Sequence, residues 1–183
     1  MGRFTNIGGT ATPPHTNGWW YGLATADIDG DGDQDLIAGN LGWNSKFQAT
    51  PDHPLHVYWG DLDGNGRSDI VLAKEKNGHE LPVRGRECSS QQCPMILDRF
   101  PTYDAFANAD LQQIYPPEKL QKALHLEATC MRSAVFRNDG VGHFTMEPLP
   151  AIAQTAPINA IVPMDVNGDE HVDPVVAGNN WSA

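Results

Sequence analysis

Three times this chain runs through nine residues with Asp or Asn at positions 1, 3, 5 and 9. The first stretch is Asp27-Ile28-Asp29-Gly30-Asp31-Gly32-Asp33-Gln34-Asp35. The second is Asp61-Leu62-Asp63-Gly64-Asn65-Gly66-Arg67-Ser68-Asp69, and the third is Asp165-Val166-Asn167-Gly168-Asp169-Glu170-His171-Val172-Asp173. Position 2 is apolar each time, and glycine at positions 4 and 6 lets the backbone curl where a side chain would clash. Behind each stretch comes a short apolar run: Leu36-Ile37-Ala38-Gly39-Asn40, Ile70-Val71-Leu72-Ala73, and Val175-Val176-Ala177-Gly178-Asn179. These runs are too short for amphipathic helices and read as buried strands. A repeated unit of this size points to an array of small sheets.

Other signals agree with an all-β chain. Asn77-Gly78 lies between 70–76 and 79–83, a strong hairpin signal. Asn138-Asp139-Gly140 does the same between 134–137 and 142–146. Gly2-Arg3-Phe4-Thr5 is echoed by Gly142-His143-Phe144-Thr145, each leading to an acidic loop at a similar interval. With 18 Gly and 14 Pro, many short elements joined by turns are expected. One stretch, about 94–129, reads as a helical insertion, with Pro117 in a first turn and Leu120, Ala123 and Leu124 on one face. The expected architecture is one partial domain over 1–183, with about three antiparallel four-stranded sheets. Its ends are expected to cut through repeat units, as in a piece of a longer array.

The acidic loops have the chemistry of a hard-cation site. Calcium takes six to eight oxygens in flexible geometry, from carboxylates, amides, backbone carbonyls and water. Positions 1, 3 and 5 supply Asp27, Asp29 and Asp31, then Asp61, Asp63 and Asn65, then Asp165, Asn167 and Asp169. Position 9 closes each set with Asp35, Asp69 or Asp173. Position 7 offers only its backbone carbonyl, so it can vary as Asp33, Arg67 and His171. Twelve of the chain's 23 acidic residues lie in these loops, a density that repels itself without a cation. An EF-hand would need Glu at position 12 between helices; here position 12 is Ala38, Leu72 or Val176. Calcium is expected in the first two loops. The third should be weakest, because Glu170 replaces glycine and Pro174 follows its closing Asp.

The loops, with Ile28, Leu62 and Val166 at position 2, resemble the FG-GAP/VCBS repeat family. That family includes the calcium-binding blades of integrin α-subunit propellers and many secreted bacterial propellers. Gly39-Asn40-Leu41-Gly42 and Gly178-Asn179 resemble its bacterial branch related to cartilage acidic protein. The resemblance implies a β-propeller of four-stranded blades, calcium in a loop joining two strands, and a secreted or cell-surface setting. A non-catalytic structural and adhesion or ligand-binding module is expected, with a protein or glycan partner, and open sheet edges would allow self-association.

Net charge is −11, with only 12 Lys and Arg, scattered along the chain. That excludes the cationic stripe a nucleic-acid partner needs and disfavours an anionic membrane surface. No apolar run could span a bilayer, and residues 1–5 show no signal-peptide core. The alternative function is a fragment of a polysaccharide-degrading propeller enzyme. No nucleophile elbow, zinc-protease motif or phosphate loop supports it; Glu80, Arg84, Arg86, Glu87 and Tyr103 could form a polar site but read as solvated surface.

Cys88 and Cys93 could pair, or either could pair with Cys130. His53 and His56, beside Pro54, read as a surface loop rather than a metal pair. Trp19, Trp20, Trp43, Trp59 and Trp181 read as packing residues rather than sugar platforms. Asn180-Trp181-Ser182 matches a glycosylation sequon.

Overall fold

The structure, a computed structural model, describes residues 11–179. The echo at Gly2–Thr5, Trp181 and the Asn180 sequon therefore lie outside the described residues. Among these residues two compact units form, one from 11–48 with 130–179 and the other from 49–129.

In the first unit the apolar run after loop 27–35 becomes β2 (Asp35–Gly39), the most buried strand of its sheet. It pairs antiparallel with β1 (Gly22–Ala26) on one side and β7 (Ala134–Asn138) on the other. β8 (Phe144–Pro148) completes the order β1-β2-β7-β8. Being central, β2 buries both faces, which is why its sequence is a continuous apolar run rather than an alternation. Ile37 packs with Val135, Leu149 and Ile158, while Ala38 packs with Ala134 and Phe136. Beyond this sheet, β9 (Ala160–Met164) and β10 (Asp173–Ala177) form a two-stranded antiparallel pair.

Gly39 and Gly178 stand four and five residues past the closing Asp of their loops, each just before an Asn, and close backbone approach explains both. A Cβ at Gly39 would fall 2.2 Å from the Ile158 carbonyl oxygen, and one at Gly178 would fall 1.5 Å from that of Pro157. Asn40, fully buried beside Gly39, replaces lost solvent contacts with protein ones. Its Oδ1 accepts from the N–H of Trp19 and of Leu41, its Nδ2 donates to the Cys130 carbonyl, and its own N–H donates to Ser133 Oγ.

The second unit has sheet order β5-β4-β3-β6, from β3 (Leu55–Gly60), β4 (Asp69–Lys76), β5 (His79–Pro82) and β6 (Leu124–Ala128). Asn77 and Gly78 both take positive φ, 54° and 77°, as a two-residue hairpin turn requires. The insertion between β5 and β6 holds five short helices: α1 (Arg86–Gln92), α2 (Met95–Arg99), α3 (Tyr103–Ala107), α4 (Leu111–Ile114) and α5 (Pro117–Lys122). It packs Cys93, Ile96, Phe106, Leu111, Ile114 and Leu120 onto Val71 and Ala73 of β4.

Several sequence expectations need correction. The insertion begins earlier and ends earlier than 94–129, because 124–128 pairs with β3 as an edge strand. Leu120 is buried as expected with Pro117 in the first helical position, but Leu124 is on β6 and half exposed. The last sheet has two strands among the described residues rather than four. The Asn138-Asp139-Gly140 hairpin closes through a five-residue turn, since Asn138 pairs with Phe144. All three cysteines are free thiols. Trp20 packs edge-on against Phe136 and Trp19 against Phe47, whereas Trp43 and Trp59 are about half exposed. No helix among the described residues is long and apolar enough to cross a membrane.

Candidate metal-binding loops

Each acidic stretch closes one antiparallel hairpin: 27–35 joins β1 to β2, 61–69 joins β3 to β4, and 165–173 joins β9 to β10. The same hydrogen bonds recur in all three. The position-9 carboxylate reaches back to the N–H of position 2: Asp35 to Ile28, Asp69 to Leu62, and Asp173 to Val166, at 3.0, 2.9 and 3.2 Å. The position-1 carboxylate accepts the N–H of position 4: Asp27 from Gly30, Asp61 from Gly64, and Asp165 from Gly168, at 2.7, 2.8 and 2.7 Å. Two carboxylates thus fold the loop around themselves, with positive φ at position 6: 96° at Gly32, 83° at Gly66 and 67° at Glu170. Glu170 pays a steric penalty that the two glycines avoid.

The loops differ in what else converges. In 27–35, oxygens of Asp27, Asp29 and Asp35 lie within 4.8 Å of one another. Asp31 accepts the N–H of Asp33 instead, and the Asp33 carboxylate lies over Gly140, away from that cluster. Asp35 is fully buried, and its second oxygen accepts the N–H of Asn138 on β7. Arg137 adds a cation here. Its Nη1 lies 3.0 Å from Asp29 Oδ2, an ion pair without a well-directed hydrogen bond, while its Nε donates to Glu147 at 2.8 Å. Glu147 first, with Asp29 assisting against partial desolvation, raises the Arg137 pKa further.

In 61–69, oxygens of Asp63 and Asp69 cluster with the Cys93 sulfur. Burial first, then the Asp69 charge, pushes the Cys93 thiol up to about 12, so it stands there as a neutral thiol and the hard donors are the carboxylates. Asn65 donates its amide to Asp63 Oδ2 and accepts the Arg67 N–H. Asp61 pairs with Lys119 of α5 at 3.4 Å. Desolvation works against ionisation of Asp61, but the Gly64 N–H and Lys119 outweigh it and hold its carboxyl below the usual range.

In 165–173, Asp165 accepts from the N–H groups of Gly168, Asp169 and Glu170. Those bonds, Gly168 foremost, hold its carboxyl below the usual range. Asp169 accepts from the His171 N–H and from the Asn167 amide, and is lowered for the same reasons. Among the described residues, this loop brings no three acidic groups together as 27–35 does. Position 2 follows a different order: Leu62 is fully buried, Ile28 partly buried, and Val166 60% exposed. The donor set fits a hard divalent cation best at 27–35, through Asp27, Asp29 and Asp35.

Against known families, residues 19–58 match the FG-GAP repeat model, covering β1, loop 27–35, β2 and the start of β3. Residues 19–58 are thus similar to an FG-GAP repeat. No curated protein and no solved structure matches it. Loops 61–69 and 165–173 fall outside the matched FG-GAP segment but share its hairpin geometry.

Sequence reasoning missed Arg137 and Lys119. Both stand far along the chain from the loops they touch, and only strand pairing and helix packing bring them near. Arg137 had one local hint, its place just before the Asn138-Asp139-Gly140 turn.

Proposed function

We propose that this chain is a calcium-binding structural module of a secreted or cell-surface protein, its propeller-like sheets presenting a face to a protein or glycan partner. One observation carries the reading: three hairpins in a single register each wrap the same two carboxylates, and the first gathers three of them. Asp27, Asp29 and Asp35 would hold an ion in the first loop, with Asp63 and Asp69 contributing in the second. Calcium would supply charge neutralisation and a clamp between paired strands, not a reaction. An extracellular setting suits such a clamp, since extracellular modules bind calcium at roughly 10⁻⁴ to 10⁻³ M. The open pair β9–β10, with Val162, Met164 and Val175 exposed, is where self-association would begin.

Melting curves in calcium and in chelator, with calorimetric titration, test this. An ion held only by the folded state stabilises it by roughly 2.7 kcal/mol per site at a hundredfold excess over Kd. Calcium should therefore raise the melting temperature, with at least one binding event lost in Asp29→Asn. Identical melts with and without chelator would overturn the reading.

A further inference from the structure

On the face of the second unit's sheet that carries the helical insertion, a different donor set comes together. His56 on β3 and Glu127 on β6 are direct cross-strand partners, and His125 of β6 is paired with Tyr58, two residues along β3. Because alternate residues share a face, all three ligand-bearing side chains stand on one side of the sheet. His56 Nδ1 lies 3.0 Å from His125 Nε2 and 3.5 Å from Glu127 Oε1, and His125 Nε2 lies 4.0 Å from that oxygen. Three atoms so spaced share an equidistant point about 2.1 Å from each, within the usual range of zinc–nitrogen and zinc–oxygen bonds.

The surroundings favour a ligand role over a chance contact. The Tyr58 ring stacks on His125 at 4.4 Å and 2°, and Tyr58 in turn donates its hydroxyl to Glu80 at 2.9 Å. The stack restricts how the His125 ring can turn, and the bond to Glu80 holds Tyr58 in place behind it. His56 is 14% exposed, His125 38% and Glu127 47%, so an ion can enter and keep solvent ligands. A groove of about 280 Å³, lined by Tyr58, Glu80, Leu120 and His125, opens alongside.

We propose that His56, His125 and Glu127 form a site for a divalent transition metal such as Zn²⁺, with open positions facing solvent. Two imidazoles are borderline donors, and beside a single hard carboxylate they make a set that favours Zn²⁺ and its neighbours over calcium. The two facing nitrogens share one N–H···N contact. On binding, the ring carrying that N–H shifts its proton to its other nitrogen, and both rings turn off the N···N line toward the ion. The site is independent of the acidic loops, and its chemistry is orthogonal to theirs.

The test is a Zn²⁺ titration of the full chain by calorimetry in excess calcium, repeated with Co²⁺ as a spectroscopic probe. One equivalent of Zn²⁺ should bind, and Co²⁺ should show the visible bands of an ion with nitrogen ligands. His125→Ala and Glu127→Gln, both at exposed positions, should weaken Zn²⁺ by more than the roughly 10–100-fold that loss of a supporting partner costs. Binding as tight in both variants as in the parent, or Co²⁺ showing only the spectrum of the aqua ion, would overturn the site. Matching melting curves of parent and variants exclude misfolding as the cause; Glu127→Gln, nearly isosteric, serves should His125→Ala melt early. Failure of calcium binding would leave these outcomes unchanged, so the two proposals fail separately.

Discussion

Glu170 is held at φ 67° where the other loops place glycine. A non-glycine residue in the left-handed region costs about 1–2 kcal/mol, and glycine gives back part of that as unfolded-chain entropy. Glu170→Gly should therefore stabilise the protein by up to about 1 kcal/mol in urea unfolding, and an unchanged midpoint would mean that the turn bears no strain. Asn40 has the opposite standing. Replacing it with alanine leaves the Trp19 and Leu41 N–H groups and the Cys130 carbonyl without their buried partner. Each unmet buried group costs about 1–3 kcal/mol, so Asn40→Ala should lose at least about 3 kcal/mol in the same assay. A loss under about 1 kcal/mol would show that water replaces the amide.

At the scale of the hairpin, the acidic loops are closed by their own backbone N–H groups, and other elements lend them cations. Arg137 on β7 lies against Asp29 and Lys119 on α5 against Asp61. A positive charge a few ångströms from a cation site opposes the ion, so Arg137→Gln should tighten calcium at loop 27–35 by about 3- to 10-fold. Calorimetry at low salt reads this directly, and weaker binding would make Arg137 a scaffold for the carboxylates rather than a competitor. The loops also set an acid limit. The Asp165 carboxyl is held below its usual range by the Gly168 N–H, Asp169 by that of His171, and Asp139 in the β7–β8 turn by that of His143. A carboxyl with a lower pKa folded than unfolded binds fewer protons when folded, so its stabilisation is complete above the unfolded value and fades below it. In chelator, the melting temperature should hold steady from pH 7 to about 5 and fall as pH drops through about 4 and lower. A flat profile down to pH 3 would show that these bonds persist with protonated carboxyls.

Across the molecule, the same loop motif is supported to different degrees. In the second unit the helical insertion covers Leu62 and seals loop 61–69 against Val71 and Leu120. In the first, loop 27–35 is tied to β7 through the bond from Asn138 to Asp35. Loop 165–173 closes a two-stranded pair and leaves Val166 in solvent. Among the described residues no third strand pairs with β9 or β10, and Val166 is the most exposed of the three position-2 side chains.

How much could be read in advance depended on the range of the interaction. The nine-residue register, the Asn77-Gly78 turn and the apolar run of β2 follow from local rules, since side-chain spacing, positive φ and strand alternation act within a few residues. The insertion's end at 122 was misplaced because Leu124–Ala128 becomes a strand only by pairing with β3, a contact that no local pattern announces. His56 was read as part of a surface loop for the same reason: its partners, His125 and Glu127, arrive on a strand about 70 residues later. The sequence by itself determined the acidic hairpin loops and the all-β character, because those rest on short-range geometry and composition. Only the tertiary structure decided which carboxylates converge, which cations oppose them and which histidines meet, because strand pairing chooses neighbours without regard to their distance along the chain.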